Sequence, residues 1–170
     1  MDQAFYEELK ALVGQEEESP REAVDEVCKP MIRQWCAAMQ DGNPLYTDEE
    51  YAGKSKYGGI IAPPTMLLAW TMPPLWPPSE YPPHPFELFL EKLDKAGYFG
   101  IIVTNVSQKY YQPVLPGDHL TYTYKVTDLS AEKQTGVGKG FFVTTTFVFT
   151  NQKEEAVGTL SFTVLKYRIG

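Results

Sequence analysis

Hydrophobic and polar positions follow one rhythm in the first half of the chain and another in the second. From residue 2 to about 13, Phe5, Leu9 and Leu12 recur at the spacing of one helical stripe. Arg21–Val27 alternates loosely and predicts a short strand. Pro30 stands where a first-turn proline is tolerated, and Met31, Ile32, Trp35, Cys36 and Met39 continue as a helical face. Asp41-Gly42-Asn43-Pro44 reads as the turn that ends it. Thr47-Asp48-Glu49-Glu50 then supplies a cap and an acidic first turn for another helix, and Gly58-Gly59 breaks the chain again.

Pro63-Pro64-Thr65 opens a strongly apolar segment, Met66–Met72, which predicts a helix buried on all sides. It must be short. Residues 73–85 hold seven prolines, and each proline inside a helix removes a donor and costs about 3 kcal/mol. The expected length is two to three turns. Beyond residue 98 the pattern becomes strand after strand, rich in Val, Thr, Phe and Tyr: Ile101–Tyr111, Leu120–Leu129, Gly138–Thr150 and Val157–Lys166. Turn residues separate them at Pro116-Gly117-Asp118, Ser130–Gly136 and Asn151–Glu154, a spacing that predicts an antiparallel meander. A short buried helix ahead of a long, twisted antiparallel sheet is an α+β layout with the helix on one face.

Composition narrows the partners. The 170 residues fit one domain, with a helical extension over about residues 1–20, and 43% apolar content is enough for a core. A net charge of −7 with no basic run argues against nucleic acid. No apolar run approaches the roughly 20 residues of a membrane span, and no signal-like N-terminus is present. Cys28 and Cys36 read as two buried thiols rather than a disulfide, and no Cys/His cluster suggests a metal. A soluble cytoplasmic domain is expected.

The segments DGNPLYTDEEYA and KYGGIIAPPTML, followed by QKYYQPVLPGDHLTYTYKV and FVFTNQKEEAVG, resemble MaoC-like enoyl-CoA hydratases in one collinear order over residues 25–168. The resemblance is strongest to relatives with APPT at the helix start, including a domain of hydratases in bacterial steroid side-chain degradation. It implies a single hot-dog fold, a sheet wrapped around a short central helix, with two such folds paired side by side. It further implies hydration of a trans-2-enoyl thioester. A carboxylate and a histidine on the turn deliver water, and a backbone N–H at the helix start polarises the thioester carbonyl. A base working near neutral pH suits histidine, and fixed donors suit the developing enolate.

The chain departs from that pattern twice. Asp41 occupies the carboxylate position, and Asn43 and Pro44 match the turn, but Tyr46 stands where the histidine belongs. A phenol with a pKa of about 10 is a poor base at neutral pH. Pro64 replaces the glycine that would lend its N–H. No catalytic residue is therefore assigned to this chain. Asp41 reads either as a remnant base or as a turn residue, and Tyr46 either as a ligand contact or as turn packing.

Substrate and coenzyme A contacts are expected at Asn43, Tyr46, Lys54, Lys56, Tyr57, Gly59, Ile60, Ala62, Pro63, Thr65 and Trp70. Lys54 and Lys56 are candidate phosphate contacts or solvated loop charges, and Lys139, between two glycines, is a further candidate. His84 and His119 read as surface residues. Leu75, Trp76 and Phe86 join Trp70 as candidate walls of a broad acyl pocket, or as core. Coenzyme A enters as part of the substrate and no other cofactor is expected.

The expected role is a non-catalytic, substrate-binding subunit of a heteromeric hydratase, paired with a homologous catalytic subunit as a heterodimer or heterotetramer. The short helix suggests a bulky substrate such as a steroid side-chain thioester. The steroid-pathway relatives carry a C-terminal extension, whereas this chain stops soon after its last strand, as a separate subunit or an excised domain. Two alternatives stay open. One is a homo-oligomeric hydratase or thioesterase with relocated chemistry, Asp41 working with His119; the other is an acyl-thioester-binding scaffold.

Overall fold

The computed structural model describes residues 3–15, 20–76 and 85–169. Helix α1, Gln3–Lys10, ends short of residue 13; it buries Leu9 and leaves Phe5 half covered, and Leu12, half covered too, sits in the turn that follows. Strand β1 is only Arg21–Glu22. Helix α2, Lys29–Met39, starts on Pro30 and closes at Gln40, which takes a left-handed φ of 54°. A one-turn helix α3, Pro44–Thr47, and α4, Glu49–Lys54, follow, and the Asp48 side chain caps α4 by accepting from Tyr51 N.

The central segment is a 3-10 turn, Pro64–Met66, running into α5, Leu67–Trp70. It spans about two turns, as short as expected, but is not enclosed on all sides. Met66, Leu67 and Trp70 are buried, whereas Leu68 and Met72 are exposed. Pro73 and Pro74 explain the stop, because a residue before proline is forced out of the α region. Helix α6, Pro85–Lys95, was not anticipated from the proline segment. Pro85 opens it, and Phe89 and Leu93 form its buried face.

The strands are β2 Gly100–Tyr110, β3 Thr121–Leu129, β4 Lys133–Thr135, β5 Gly138–Thr150 and β6 Ala156–Tyr167, all antiparallel to their neighbours. Their order is β1-β3-β5-β6-β2, with β4 on β5. The expected meander therefore holds for β3, β5 and β6 but not for β2, which lies at the far edge beside β6. The link from β2 to β3 carries Pro113 and Pro116 and is too long and too stiff for a tight hairpin. β4 occupies part of the segment expected to be only a turn.

The concave face is the core. One cluster gathers Ile32, Cys36, Met66, Trp70 and the sheet residues Tyr122, Tyr124, Phe147 and Phe149 beneath the central helix. The other puts Leu9 of α1 and Phe89 and Leu93 of α6 against Val126, Phe141 and Val143. Within it, the almost fully buried Lys166 reaches Asp94 Oδ1 at 2.6 Å and ties β6 to α6. Cys36 is buried and Cys28 only half so, and both are free thiols. No helix among the described residues is long and apolar enough to cross a membrane.

Candidate functional site

The turn after α2 is built from its own side chains. Asp41 N–H donates to Cys36 O at 2.9 Å, and Asp41 Oδ1 accepts from Asn43 N at 3.0 Å. Asn43 Oδ1 in turn accepts from Leu45 N at 3.1 Å and caps α3. Both side chains thus hold backbone N–H groups of the turn. Tyr46, half-buried, packs on the core beneath the central helix. Its phenol is pushed above its ordinary pKa, first by burial and then by the Asp41 carboxylate, with a hydrogen bond to Asn43 opposing the rise. A tyrosinate base is thereby made less accessible at neutral pH, not more.

Ile61 N donates to Leu45 O at 3.2 Å and Ala62 N to Val114 O at 2.8 Å, so the approach to the central helix is fixed between the turn and the end of β2. There the chain turns on Pro63 and Pro64, neither of which has an N–H. A cavity of about 260 Å³ opens at this point. Its walls are Lys56 and Tyr57 from the loop, Ile61–Pro63 on the approach to the helix, Pro64, Leu67 and Trp70 from the helix itself, Tyr110 at the end of β2 with Tyr111–Val114 of the link that follows, and Val157. A second cavity, about 270 Å³, lies past the other end of α5, between Leu68, Thr71 and Met72, helix α6 and the rings of Tyr122, Tyr124, Phe147 and Phe162.

Of the residues expected to touch substrate, Lys56, Tyr57, Ala62, Pro63 and Trp70 converge on the first cavity, beside Pro64. Asn43, Tyr46, Lys54, Gly59, Ile60 and Thr65 do not line it. Lys54 is exposed and paired with Glu50 at 2.5 Å, whereas Lys56 has no carboxylate partner among the described residues and sits 5.0 Å from the Tyr57 ring centre. Thr65 is exposed. Lys139, paired with Gln134, stands at the opposite end of the sheet from Tyr110, which pairs with Gly158. Phe86 lines the second cavity, while Leu75 and Trp76 are exposed and line neither.

His84 lies outside the described residues. His119 is at the surface, with Nε2 3.8 Å from Glu22 Oε2, and no contact among the described residues joins it to Asp41. No group of three His, Cys, Asp or Glu side chains among them could hold a metal. Tyr110, Tyr111 and Gln112 were missed as cavity walls, because the pairing of β2 with β6, distant in the chain, is what brings them there.

Residues 11–160 match the profile of the FAS1-like, dehydratase domain region. The chain belongs to this MaoC-like dehydratase family. It is 34% identical over 168 residues to a probable enoyl-CoA hydratase alpha subunit of Thermomonospora curvata, covering 96% of this chain and 52% of that protein. It is 35% identical over 151 residues to the 3-oxo-4,17-pregnadiene-20-carboxyl-CoA hydratase alpha subunit of Mycobacterium tuberculosis, covering 88% of this chain and 47% of the relative. The chain therefore spans about half the length of these curated relatives.

Among solved structures, the ChsH1-ChsH2 complex from Mycobacterium tuberculosis contains a chain with a TM-score of 0.88 and 32% identity, matched over 99% of this chain and 92% of that one. An (R)-hydratase from A. caviae involved in PHA biosynthesis matches at a TM-score of 0.59 and 20% identity, over 93% and 96% of the two chains, a likeness in fold alone. The fold is the single hot-dog fold.

Proposed function

We propose that this chain is the non-catalytic, acyl-thioester-binding subunit of a heteromeric MaoC-like enoyl-CoA hydratase, with coenzyme A present only as part of the substrate. One observation carries the reading: the turn and helix start that would hold water and polarise a carbonyl are chemically disarmed. Asp41 is tied into the turn, Tyr46 has a raised pKa, and Pro64 offers no N–H. What the site retains is shape, a mouth cation at Lys56 and apolar walls.

The sheet edge supports a partner. β2 offers 11 residues of edge backbone, and its concave-side residues Ile101, Val103, Val106 and Tyr110 are 51%, 56%, 57% and 43% exposed. A long apolar edge of this kind demands cover. The end of the same strand walls the first cavity, which at about 260 Å³ is small for a ligand-sized site of ~300–1,000 Å³. A homologous subunit paired along β2 would cover the stripe and complete the cavity together. The relatives named as hydratase alpha subunits support a heteromeric assembly, and the early end of α5 beside a second aromatic-walled cavity supports a bulky acyl group of the steroid side-chain class.

Hydration of enoyl-CoA by the purified chain, alone and mixed with a homologous subunit carrying an intact carboxylate–histidine turn, tests the reading. Activity confined to the mixture is the expected result, with a bulky polycyclic thioester preferred over crotonyl-CoA. Turnover by the chain alone would overturn it. In the active mixture, Tyr46→Phe in this chain should leave the pH profile unchanged between about pH 6 and 9, because the Tyr46 phenol stays neutral below its raised pKa.

A further inference from the structure

Among the described residues that wall the second cavity, only Arg21 of β1 and Glu87 of α6 carry charge; four of the others are the sheet rings Tyr122, Tyr124, Phe147 and Phe162. Arg21 pairs with Tyr122 across β1 and β3, and residues opposed in this way leave the sheet on one face. That face is the concave one, where Tyr122 is buried in the core. Arg21 is half-buried, beside the rings yet open to water. It has a partner within the chain, but a guanidinium carries five N–H donors in a fixed fork and can serve a ligand as well. Strand β1 is one edge of the sheet, and β2, which ends at the first cavity, is the other. Four strand spacings, about 19 Å, separate them.

We propose that Arg21 determines which acyl group the second cavity accepts, by donating hydrogen bonds to a ketone oxygen at the end of that group remote from the thioester. The sheet rings take the apolar body, and Arg21, at the edge away from the first cavity, meets the far end. Glu87 decides the charge of the acceptor. It already brings a carboxylate to this cavity, so a second one on the ligand is repelled, whereas a neutral carbonyl gains the guanidinium's donors without that repulsion. This rests on the reading of the second cavity as the site of a bulky acyl group.

The test uses three naphthalenes of nearly equal size: 2-ethylnaphthalene, 2-acetylnaphthalene and 2-naphthoate. They are titrated into the full ¹⁵N-labelled chain and followed through the backbone amides of Thr71 and Leu90 at the second cavity. Lacking coenzyme A, the probes read that cavity alone. 2-Acetylnaphthalene should bind about tenfold more tightly than 2-ethylnaphthalene, and more tightly than 2-naphthoate. Arg21→Met keeps an apolar stem and loses the donors, so it should bring the ketone-to-hydrocarbon ratio close to one. Packing lost with the guanidinium affects both probes alike and cancels in that ratio. The wild-type ranking of the three probes is decisive even where the variant does not fold.

Equal affinity for ketone and hydrocarbon, or a preference that survives Arg21→Met, makes Arg21 a structural residue, and the inference fails alone. Tightest binding of 2-naphthoate overturns the neutral acceptor in favour of a carboxylate. If no probe moves the amides of the second cavity, the reading of that cavity as an acyl site fails and the inference falls with it.

Discussion

Thr145 and Lys56 show how much a single side chain's surroundings decide. Thr145 on β5 lies opposite Val126 and Phe162, is fully buried, and its hydroxyl has no partner among the described residues. Valine has nearly the same shape and the same β-branched preference for a strand. Thr145→Val should therefore raise stability by about 1 kcal/mol, or a melting temperature by about 2–4 °C, as measured by thermal denaturation. A loss would mean that the hydroxyl has an acceptor in solution. The two lysines of the ligand loop differ in the same way. Lys54 already pairs with Glu50, while Lys56 lies over the Tyr57 ring at the cavity with no carboxylate partner among the described residues. Lys56→Ala should weaken coenzyme A binding by about 1 kcal/mol at low ionic strength and less as salt rises, whereas Lys54→Ala should change little. Calorimetric titration at two salt concentrations separates them. The sequence put the two lysines side by side before Gly58-Gly59; it could not show that Lys54 ends α4 in an ion pair with Glu50 while Lys56 lies beyond it against the cavity.

At the level of elements, the end of the sheet away from the cavity is set by glycine. Gly140 on β5 lies beside Tyr167 of β6, and a Cβ there would overlap the Lys166 carbonyl oxygen. The obstruction is backbone and cannot swing aside. Gly140→Ala should cost about 1–3 kcal/mol, read from denaturant midpoints, because β5 and β6 must separate locally to admit the methyl group. At Gly100, across β6, the nearest atoms to an added Cβ belong to the ring of Tyr167, a side chain that can shift, so Gly100→Ala should be the milder change. Most elements were legible from the chain itself. The four long strands and α2 lie within a residue or two of the pattern that predicted them, since alternation and helical spacing report burial directly. Helix α6 was hidden for a physical reason: seven prolines end where it begins, and Pro85 belongs to both readings, as breaker and as first-turn residue. The Phe86–Leu93 spacing would have revealed it.

Across the whole molecule, what the sequence could not express was strand order. β2 pairs with β6, distant in the chain, rather than with β3, and this long-range choice leaves its concave stripe open. The degenerate positions were readable, because Asp41 and Tyr46 lie in one local turn and Pro64 in the short segment that opens the central helix. The walls at Tyr110–Val114 were not, because they reach the cavity only through that pairing. The open stripe also yields the sharpest test of assembly. Val103 and Val106 lie on the same face, opposite Val164 and Phe162, and are more than half exposed. Replacing both with lysine removes little packing from the isolated chain, so its melting temperature should move by no more than about 2 °C. Charges buried in a paired edge without partners would instead oppose association strongly. Light scattering coupled to size exclusion, on the chain mixed with its catalytic homologue, should show wild-type protein eluting as a complex and the double variant as separate subunits, with hydration lost in step. A double variant that still assembles and turns over substrate would place the partner on another surface and detach the cavity at the end of β2 from the assembly.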